Sequence, residues 1–448
     1  MQNFSPAKVG KERTLKKKIL FKELLTKHPA DIAEILSHLS DEQAAEILRK
    51  LAVRKAAAAP LGEMEPEESA EILDELSHDE AIGILGRMDP DDAVDLLAAL
   101  PVDAQRSFLA QMDAKEAKVL IDLLAYSPDT AGGLMSPEVV ALPLDMTAAE
   151  AIDELRRRSE EVETVYYAYV VDDDHSLKGV LALRDLALSP PTTRLAELLL
   201  KDVTTISVDT DVEEVGLIFD KYNYIALPVV DDTGKLLGII TVDDVIDVIR
   251  KEATEDFLKF SGIVGGDEEP LSPPAVAVRK RLPWMAANII FNLLAVTIIA
   301  GFENTLAQVV ILAAFLPMIT DMGGNIGIQA IGVAIRGLAL GKVSFQDLWR
   351  VLRKEVAVGL LNGLLLGLQI GVIAYFWKGN IYLGVIITVA MWINVLLAGI
   401  IGTAIPFIFN RLGKDPAMMS GAFLTTITDA TGLFIFLGLA TLVMHRLV

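Results

Sequence analysis

A single acid, Asp429, stands inside an apolar run that reaches from Leu424 to Ala440. A carboxylate in hydrocarbon costs several kcal/mol unless it meets water, a cation or a partner, so an acid at such a place marks a working site. Its flanks, Thr425-Thr-Ile-Thr-Asp-Ala-Thr-Gly432, bring the hydroxyls of Thr425, Thr428 and Thr431 near its side of a helix. Two chemistries fit: an ion pair with a base on a neighbouring span, or a cation site. No Lys, Arg or His falls in the middle of another apolar run, which leaves the cation.

A second stretch belongs with it, Pro317-Met-Ile-Thr-Asp-Met-Gly-Gly-Asn-Ile-Gly-Ile-Gln329. Irregular backbone at membrane depth is tolerated where it is buried in protein or lines a wet cavity. The expectation is a helix broken between Pro317 and Gly327, with Gly323, Gly324 and Asn325 turning carbonyls toward an ion path. Gln329 and Thr428 join them as pore groups around Asp429. The competing reading of the glycines is helix packing through small residues. Asp321 lies beside the expected bend, as a vestibule acid or a helix cap. One carboxylate per chain is thin for a divalent ion, and a two-fold dimer would double it. Mg2+ sheds water reluctantly, so a wide ring around a hydrated ion suits it better than a dry cage.

These residues need spanning helices to hold them. Five runs approach the ~20 apolar residues that a bilayer requires: about Trp284–Phe302, Leu306–Leu340, Val356–Trp377, Ile381–Phe409 and Ser420–Met444. The second and fourth are long for straight crossings, and a further break is expected near Pro406. With the N-terminus inside, Arg279, Lys280, Arg281, Arg336, Lys342, Arg350, Arg353, Lys354, Arg411 and Lys414 all fall on the inner side. Only Lys378 and Arg446 fall outside, which satisfies the positive-inside rule and puts the C-terminus outside.

The rest of the chain is of another kind. The 448 residues carry a formal charge of −21, yet 52% are hydrophobic and the mean hydropathy is +0.44. From Trp284 onward there are nine Lys/Arg against six Asp/Glu, leaving 31 basic and 55 acidic residues before it. An acidic half of charge −24 thus joins a nearly uncharged membrane half. That surface attracts cations and excludes nucleic acid as a partner. With no Cys, the metals left are hard cations with oxygen ligands. The basic start, Lys8 to Lys18, lacks the apolar core of a signal peptide, so the acidic half is expected to remain cytosolic in a protein of the inner membrane.

After a polar lead-in helix up to about Lys27, twelve-residue units stack: His28–Leu39, Ser40–Leu51, Glu65–Leu76, Ser77–Met88, Asp89–Leu100, Pro101–Met112 and Asp113–Leu124, with one thirteen-residue unit, Ala52–Met64. The last position is Leu or Met and the ninth Leu or Ile, while Pro, Ser or Asp open most units. Units too short to stand alone are expected to stack as an α-superhelix. Its acids, Glu65, Glu67, Glu68, Glu71 and then Asp89, Asp91, Asp92, Asp95, read first as a solvated face.

From about Ala131 a β-α-β-β-α pattern occurs twice. The first copy has strands at Val139–Leu142, Tyr166–Val171 and Gly179–Leu183; the second has them at Thr204–Val208, Ala226–Val230 and Gly238–Thr241. Helices open at Thr147 and Val212, and hairpins turn at Asp172–His175 and Asp231–Gly234. This resembles a tandem pair of CBS domains. In that family Gly-x-x-Thr-x-x-Asp at the end of the last strand binds adenosine ribose. The second copy has Gly238, Thr241 and Asp244; the first has Gly179 and Asp185 but Ala182 in the hydroxyl position. Tyr167, Arg184 and Asp185 are the nucleotide candidates this implies, with ATP as the ligand. Asp244 could equally cap the helix that follows. That helix runs from Asp243 to Phe260 with Asp244, Asp247, Glu252, Glu255 and Asp256 near one face. Gly262–Pro274 reads as a flexible break.

Pro317-x5-Gly-Gly-Asn-x-Gly-x-Gln329, Asp429 after a Thr-rich run, five spans, a CBS pair and an N-terminal superhelix together resemble the MgtE family of bacterial Mg2+ channels and transporters. The resemblance implies a multidomain chain: an acidic helical superhelix (1–130), a tandem CBS pair of α+β type (131–252), a connecting plug helix (253–283) and a five-helix pore domain (284–448). It implies a homodimer lined by the second and fifth spans, with Asp429 as the main ion-binding acid. The acidic helix, about Asp244 to Leu282, is then a plug, and cytosolic Mg2+ holds the gate shut by bridging acids. Those sensor acids are Asp244, Asp247, Glu252, Glu255, Asp256 and Asp415 in Leu412-Gly-Lys-Asp-Pro-Ala, with Asp211 and Glu213 as CBS partners and Asp91 and Asp95 from the superhelix. Asn223 stands where a further acid is expected. Two other readings compete. A coupled secondary transporter of divalent cations suits broken midplane helices, though no inverted repeat is visible within five spans. An intramembrane aspartyl hydrolase needs two acids close together; Asp429 and Asp321 are the only candidates, and Asp321 lies near the expected bend rather than facing a catalytic mate.

Overall fold

The computed structural model describes residues 24–158, 165–200, 202–270, 272–418 and 421–447. The lead-in helix expected before Lys27 falls almost wholly on residues 1–23, outside the described residues, as does Ser420 at the start of the fifth span. The chain forms two compact units, Met1–Val248 and Ile249–Val448.

Among the described residues the first unit begins with eight short helices: α1 (Pro29–Ser37), α2 (Asp41–Ala52), α3 (Ala58–Gly62), α4 (Pro66–Asp74), α5 (His78–Leu85), α6 (Pro90–Ala99), α7 (Val102–Gln111) and α8 (Ala114–Leu123). The twelve-residue period is one helix and one turn. Pro opens α1, α4 and α6, where its missing N–H loses nothing. Ser77 and Glu80 close a capping box on α5. The ninth positions Leu36, Leu48, Leu73, Leu85 and Leu97 are buried in one continuous core. The pattern fails in the last unit, where Ile121 is exposed and Leu120 and Leu123 turn inward instead. The extra residue of the thirteen-residue unit is absorbed between α2 and α3, where Lys55 takes φ 58°.

Two three-stranded sheets follow with the same topology. In the first, β1 (Ala141–Pro143) pairs parallel with β2 (Tyr167–Val171), which pairs antiparallel with β3 (Leu177–Ala182). In the second, β4 (Ile206–Ser207), β5 (Ala226–Val230) and β6 (Leu236–Thr241) repeat the order. The register shifts at Val170/Val171 in one copy and at Val229/Val230 in the other, so even the bulge is duplicated. Helix α9 (Ala148–Arg157) opens on a capping box of Thr147 and Glu150. After β3 comes α10 (Leu183–Leu188); α11 (Val212–Tyr222) lies between β4 and β5, and α12 (Val242–Phe260) leaves β6. The two hairpin turns bond to each other through Leu177 N to Gly234 O and Leu236 N to His175 O, at 3.0 and 3.1 Å.

Among the described residues of the second unit, five helices are long and apolar enough to cross a membrane: Pro274–Gly301, Val310–Ala339, Phe345–Lys378, Ile381–Arg411 and Phe423–Leu442. Their main segments are α13 (Pro274–Gly301), α14 (Leu316–Ala339), α15 (Leu348–Lys378), α16 (Ile381–Arg411) and α17 (Gly421–Leu442). Three expectations are corrected. The second span breaks earlier than Pro317, at Val309 and a 3-10 turn over Val310–Phe315. From Leu316 the helix continues unbroken through Gly323, Gly324 and Asn325. Pro317 falls in its first turn, where proline is accommodated. The fourth span does not break at Pro406; α16 runs to Arg411 with that ring buried inside it. The range 253–283 is not one helix. It holds the end of α12, a turn segment and the start of α13. That turn segment is tied down by Arg281 to Glu268 and by Lys280 Nζ to Asp267 at 3.0 Å.

The tightest packing joins α15 to α16. Gly359, Gly363, Gly367 and Gly371 recur every fourth residue and admit the backbone of α16; a methyl at Gly367 would sit 2.5 Å from Thr388 O, and one at Gly371 2.6 Å from Gly384 O.

Candidate ion path and sensor sites

Helix α14 has two faces. Gly323, Gly324 and Gly327 are buried, whereas Asp321, Asn325 and Gln329, four residues apart, are exposed along one stripe. The buried face is set by Asn394, an amide fully buried in the middle of α16. It donates from Nδ2 to Ile319 O at 3.0 Å and packs on Gly323. On its other side a methyl at Gly432 of α17 would sit 2.6 Å from the same nitrogen. One amide therefore joins three spans. The sequence reading missed it, although a lone Asn in the run Ile381–Phe409 was its signal.

The expected role of Gly323 and Gly324 is corrected accordingly. Their carbonyls stay in a continuous helix, and their missing side chains make room for Asn394 and Thr425. Thr428 is also corrected. It is fully buried and donates to Thr425 O at 3.0 Å, so its hydroxyl stays in its own helix. Asn325 and Gln329 remain on the open face. Asp321 sits well inside α14, too deep to cap it, and Asn325 Nδ2 donates to its Oδ2 at 3.2 Å.

Asp429 is half-buried on α17, and among the described residues it has neither a hydrogen-bond nor an ion-pair partner. Glu355 shows the contrast: buried in α15, it is answered by Lys354 at 2.6 Å. The bend expected at Asp321 is absent, and its charge reaches Asp429.

In the first unit, acids gather where α6 meets the start of α12. Asp92 is tucked against Gly62, with no room there for even a methyl. Burial pushes its carboxyl up to about 7, and the charges of Asp89, Asp244, Asp95 and Glu63 add to the shift. Burial also pushes Asp244 up to about 6, aided by Asp243 and Asp247 and opposed by the Thr241 hydroxyl, which donates to it at 2.5 Å. Asp91 is half-buried and Asp95 exposed on the same helix. The solvated-face reading thus holds for Glu65, Glu67, Glu68 and Glu71, all exposed, and fails for Asp91 and Asp92. Among the described residues no three acids or histidines converge closely enough to enclose a bare ion. Asp211 is a helix cap, accepting from Glu213 N at 2.9 Å. Asn223 ends α11 at φ 54°, a left-handed position that Asn tolerates well.

In the second unit the last turn of α12 meets one end of the span bundle. Phe260 packs with Ile331, Ile335, Ala417 and Leu424. Lys259 Nζ lies 2.5 Å from Glu255 and 2.9 Å from Asp415. Burial works against its charge, but the two carboxylates hold its pKa above the ordinary value. Burial raises Asp256, and the charge of Asp415 adds to it. Glu252 is half-buried and Asp247 exposed on the same helix.

The nucleotide candidates collect at one end of the first sheet. Tyr167 is the register partner of Ala182, and Arg184 follows two residues on in α10. Arg184 Nε pairs with Asp185 at 3.2 Å, both exposed. In the second sheet the equivalent Thr241 and Asp244 are bonded to each other.

Three family models match the chain: an MgtE intracellular N domain over residues 27–129, CBS domains over 131–189 and 195–251, and MgtE, described as a divalent cation transporter, over 316–439. The chain is similar to a magnesium transporter MgtE of Thermus thermophilus, 41% identical over 325 residues, which cover 72% of each chain. It is 33% identical over 437 residues to a magnesium transporter MgtE of Bacillus subtilis, covering 96% of this chain and 91% of that one. Among solved structures, the cytosolic domain of the Mg2+ channel MgtE in complex with ATP aligns at a TM-score of 0.50. It is 39% identical and covers 53% of this chain and 98% of its own.

Proposed function

The chain belongs to the MgtE family of divalent cation transporters, a family of transporters rather than enzymes, and from that premise we propose how its residues carry out magnesium transport. The transported ion is Mg2+. The path runs along the open face of α14 and past Asp429 of α17, in a homodimer whose two-fold axis brings two copies of that face together. The membrane is the cell's inner membrane, with the acidic half on the cytosolic side and the C-terminus outside; the basic residues at the inner ends of the spans support that orientation.

The observation that carries this reading is Asp429 itself, a carboxylate on a spanning helix with no protein partner among the described residues. Its charge is tolerable there if a hydrated cation meets it. In proteoliposomes, Asp429→Asn is expected to reduce Mg2+ uptake to background while the protein elutes and melts like the parent. Uptake at the parental rate would remove the reading.

Closure would use the other two clusters. Asp92 and Asp244 repel each other when ionised, and Mg2+ bridging them with Asp91, Asp95 and Asp247 would favour the compact cytosolic form. Glu252, Glu255, Asp256 and Asp415 would act in the same way under the spans, with Phe260 as the plug. Paired acids rather than a closed cage suit a bridging, partly hydrated ion. ATP would bind beside Tyr167, Arg184 and Asp185, with Ala182 costing it one hydroxyl contact. The alternating-access alternative drew on broken midplane helices, and α14 is continuous there.

A further inference from the structure

The open stripe of α14 includes a residue, Asp321, to which the ion path above gives no role of its own. Polar side chains exposed on a spanning helix are costly against hydrocarbon, so Asp321, Asn325 and Gln329 must face water or a second protein surface. Their level in the bundle follows from the register of α14 against α17. Three close approaches fix it: a methyl at Gly324 would lie 3.0 Å from Thr425, one at Gly327 2.9 Å from Leu424, and one at Gly421 3.3 Å from Ile328. The helices are therefore antiparallel. One turn from Gly324 toward the start of α14 stands Asp321; one turn from Thr425 toward the end of α17 stands Asp429. The two carboxylates share a level, and their charges interact. Asn325 holds one oxygen of Asp321 at 3.2 Å and so orients the group.

We propose that Asp321 is a second pore carboxylate of this chain, holding the hydrated cation jointly with Asp429. The proposal rests on the ion path described above and deepens it. In a two-fold dimer the ring at this level has four carboxylates instead of two. A hydrated Mg2+ gives each of them a water proton to accept. The added negative charge favours a divalent ion over Na+, since the attraction scales with ionic charge.

The test is uptake by the full chain in proteoliposomes with a Mg2+-free interior, as a function of external Mg2+ and with Na+ competing. Asp321→Asn is expected to elute and melt like the parent, to raise half-saturating Mg2+ about tenfold and to become more sensitive to Na+. Asp321→Glu is expected to restore both properties, which a merely structural role would not explain. If Asp321→Asn fails to assemble, Asp321→Gly carries the same comparison on a helix that already holds five glycines. Parental Mg2+ dependence and Na+ sensitivity in the charge-free variant, while Asp429→Asn still loses transport, would overturn this proposal and leave the ion path standing. Parental transport by Asp429→Asn would remove both.

Discussion

Asp92 and Asp244 show how one residue can hold a domain near an equilibrium. Both are raised acids in the folded chain, Asp92 to about 7 and Asp244 to about 6, against an ordinary value of 3.8. A raised acid binds its proton more tightly when folded. Its contribution is therefore complete below about pH 4 and is lost as pH rises through 6 to 7. In EDTA the full-length protein is expected to melt at a lower temperature at pH 8 than at pH 5, with Mg2+ recovering the difference. Asp92→Asn should flatten that pH dependence, an effect of about 1–3 kcal/mol. A pH-independent melt of the parent in EDTA would contradict it. The sequence showed that α6 was acidic and singled out Asp91 and Asp95. It did not show that Asp92 is the acid beneath Gly62, because that packing comes from a helix more than twenty residues away. Asn394 was missed for a similar reason: an amide in an apolar run gives no hint of the two glycines that receive it.

Helices were legible where their ends carry chemistry and less so where only packing decides. Thr147 and Val212 open α9 and α11 as expected, since capping is a local signal. The break of the second span was misplaced because Pro and Gly were read as breakers; Pro317 is in a first turn and the glycines serve close helix contact. The four-residue glycine stripe of α15 escaped notice because nothing in that helix alone says that α16 lies against it. Helix α12 was read almost to the residue, and its last turn invites a test. Lys259 pairs with both Glu255 and Asp415, the place assigned to the bridging ion in the closure proposed above. Lys259→Gln is expected to raise flux about two- to fivefold when internal Mg2+ is absent, a partly exposed ion pair being worth under 1 kcal/mol. It should also steepen the response to added Mg2+. Unchanged flux in internal EDTA would mean that the ammonium does not help hold α12 in place.

At the scale of the molecule, an acidic half of −24 is joined to a nearly neutral bundle. In the closure proposed above, self-repulsion opposes the compact form and divalent ions would relieve it, so stability and closure should respond to the same ligand. Several weak sites acting together would give a steep response. Asp244→Asn, Asp247→Asn and Glu255→Gln combined are expected to leave uptake uninhibited at internal Mg2+ that stops the parent. Inhibition at the parental concentration would remove the sensor reading. The domain order was legible because each part repeats on its own period: twelve residues in the superhelix, a duplicated β-α-β-β-α unit, and long apolar spans. The bare first span has a further consequence, for how the protein is made. No residue of α13 is buried, and beyond its first turns it meets α17: Phe291 packs edge-on to Phe423 at 5.5 Å, Phe302, just past its end, to Phe434 at 6.0 Å, and Thr426 donates to Asn288 at 3.4 Å. The span that leaves the ribosome first must wait in lipid without these contacts until the fifth emerges. A nascent chain stalled before Gly421 should therefore leave α13 free to drift, and chaperones that tend unfinished membrane proteins would find their handle there.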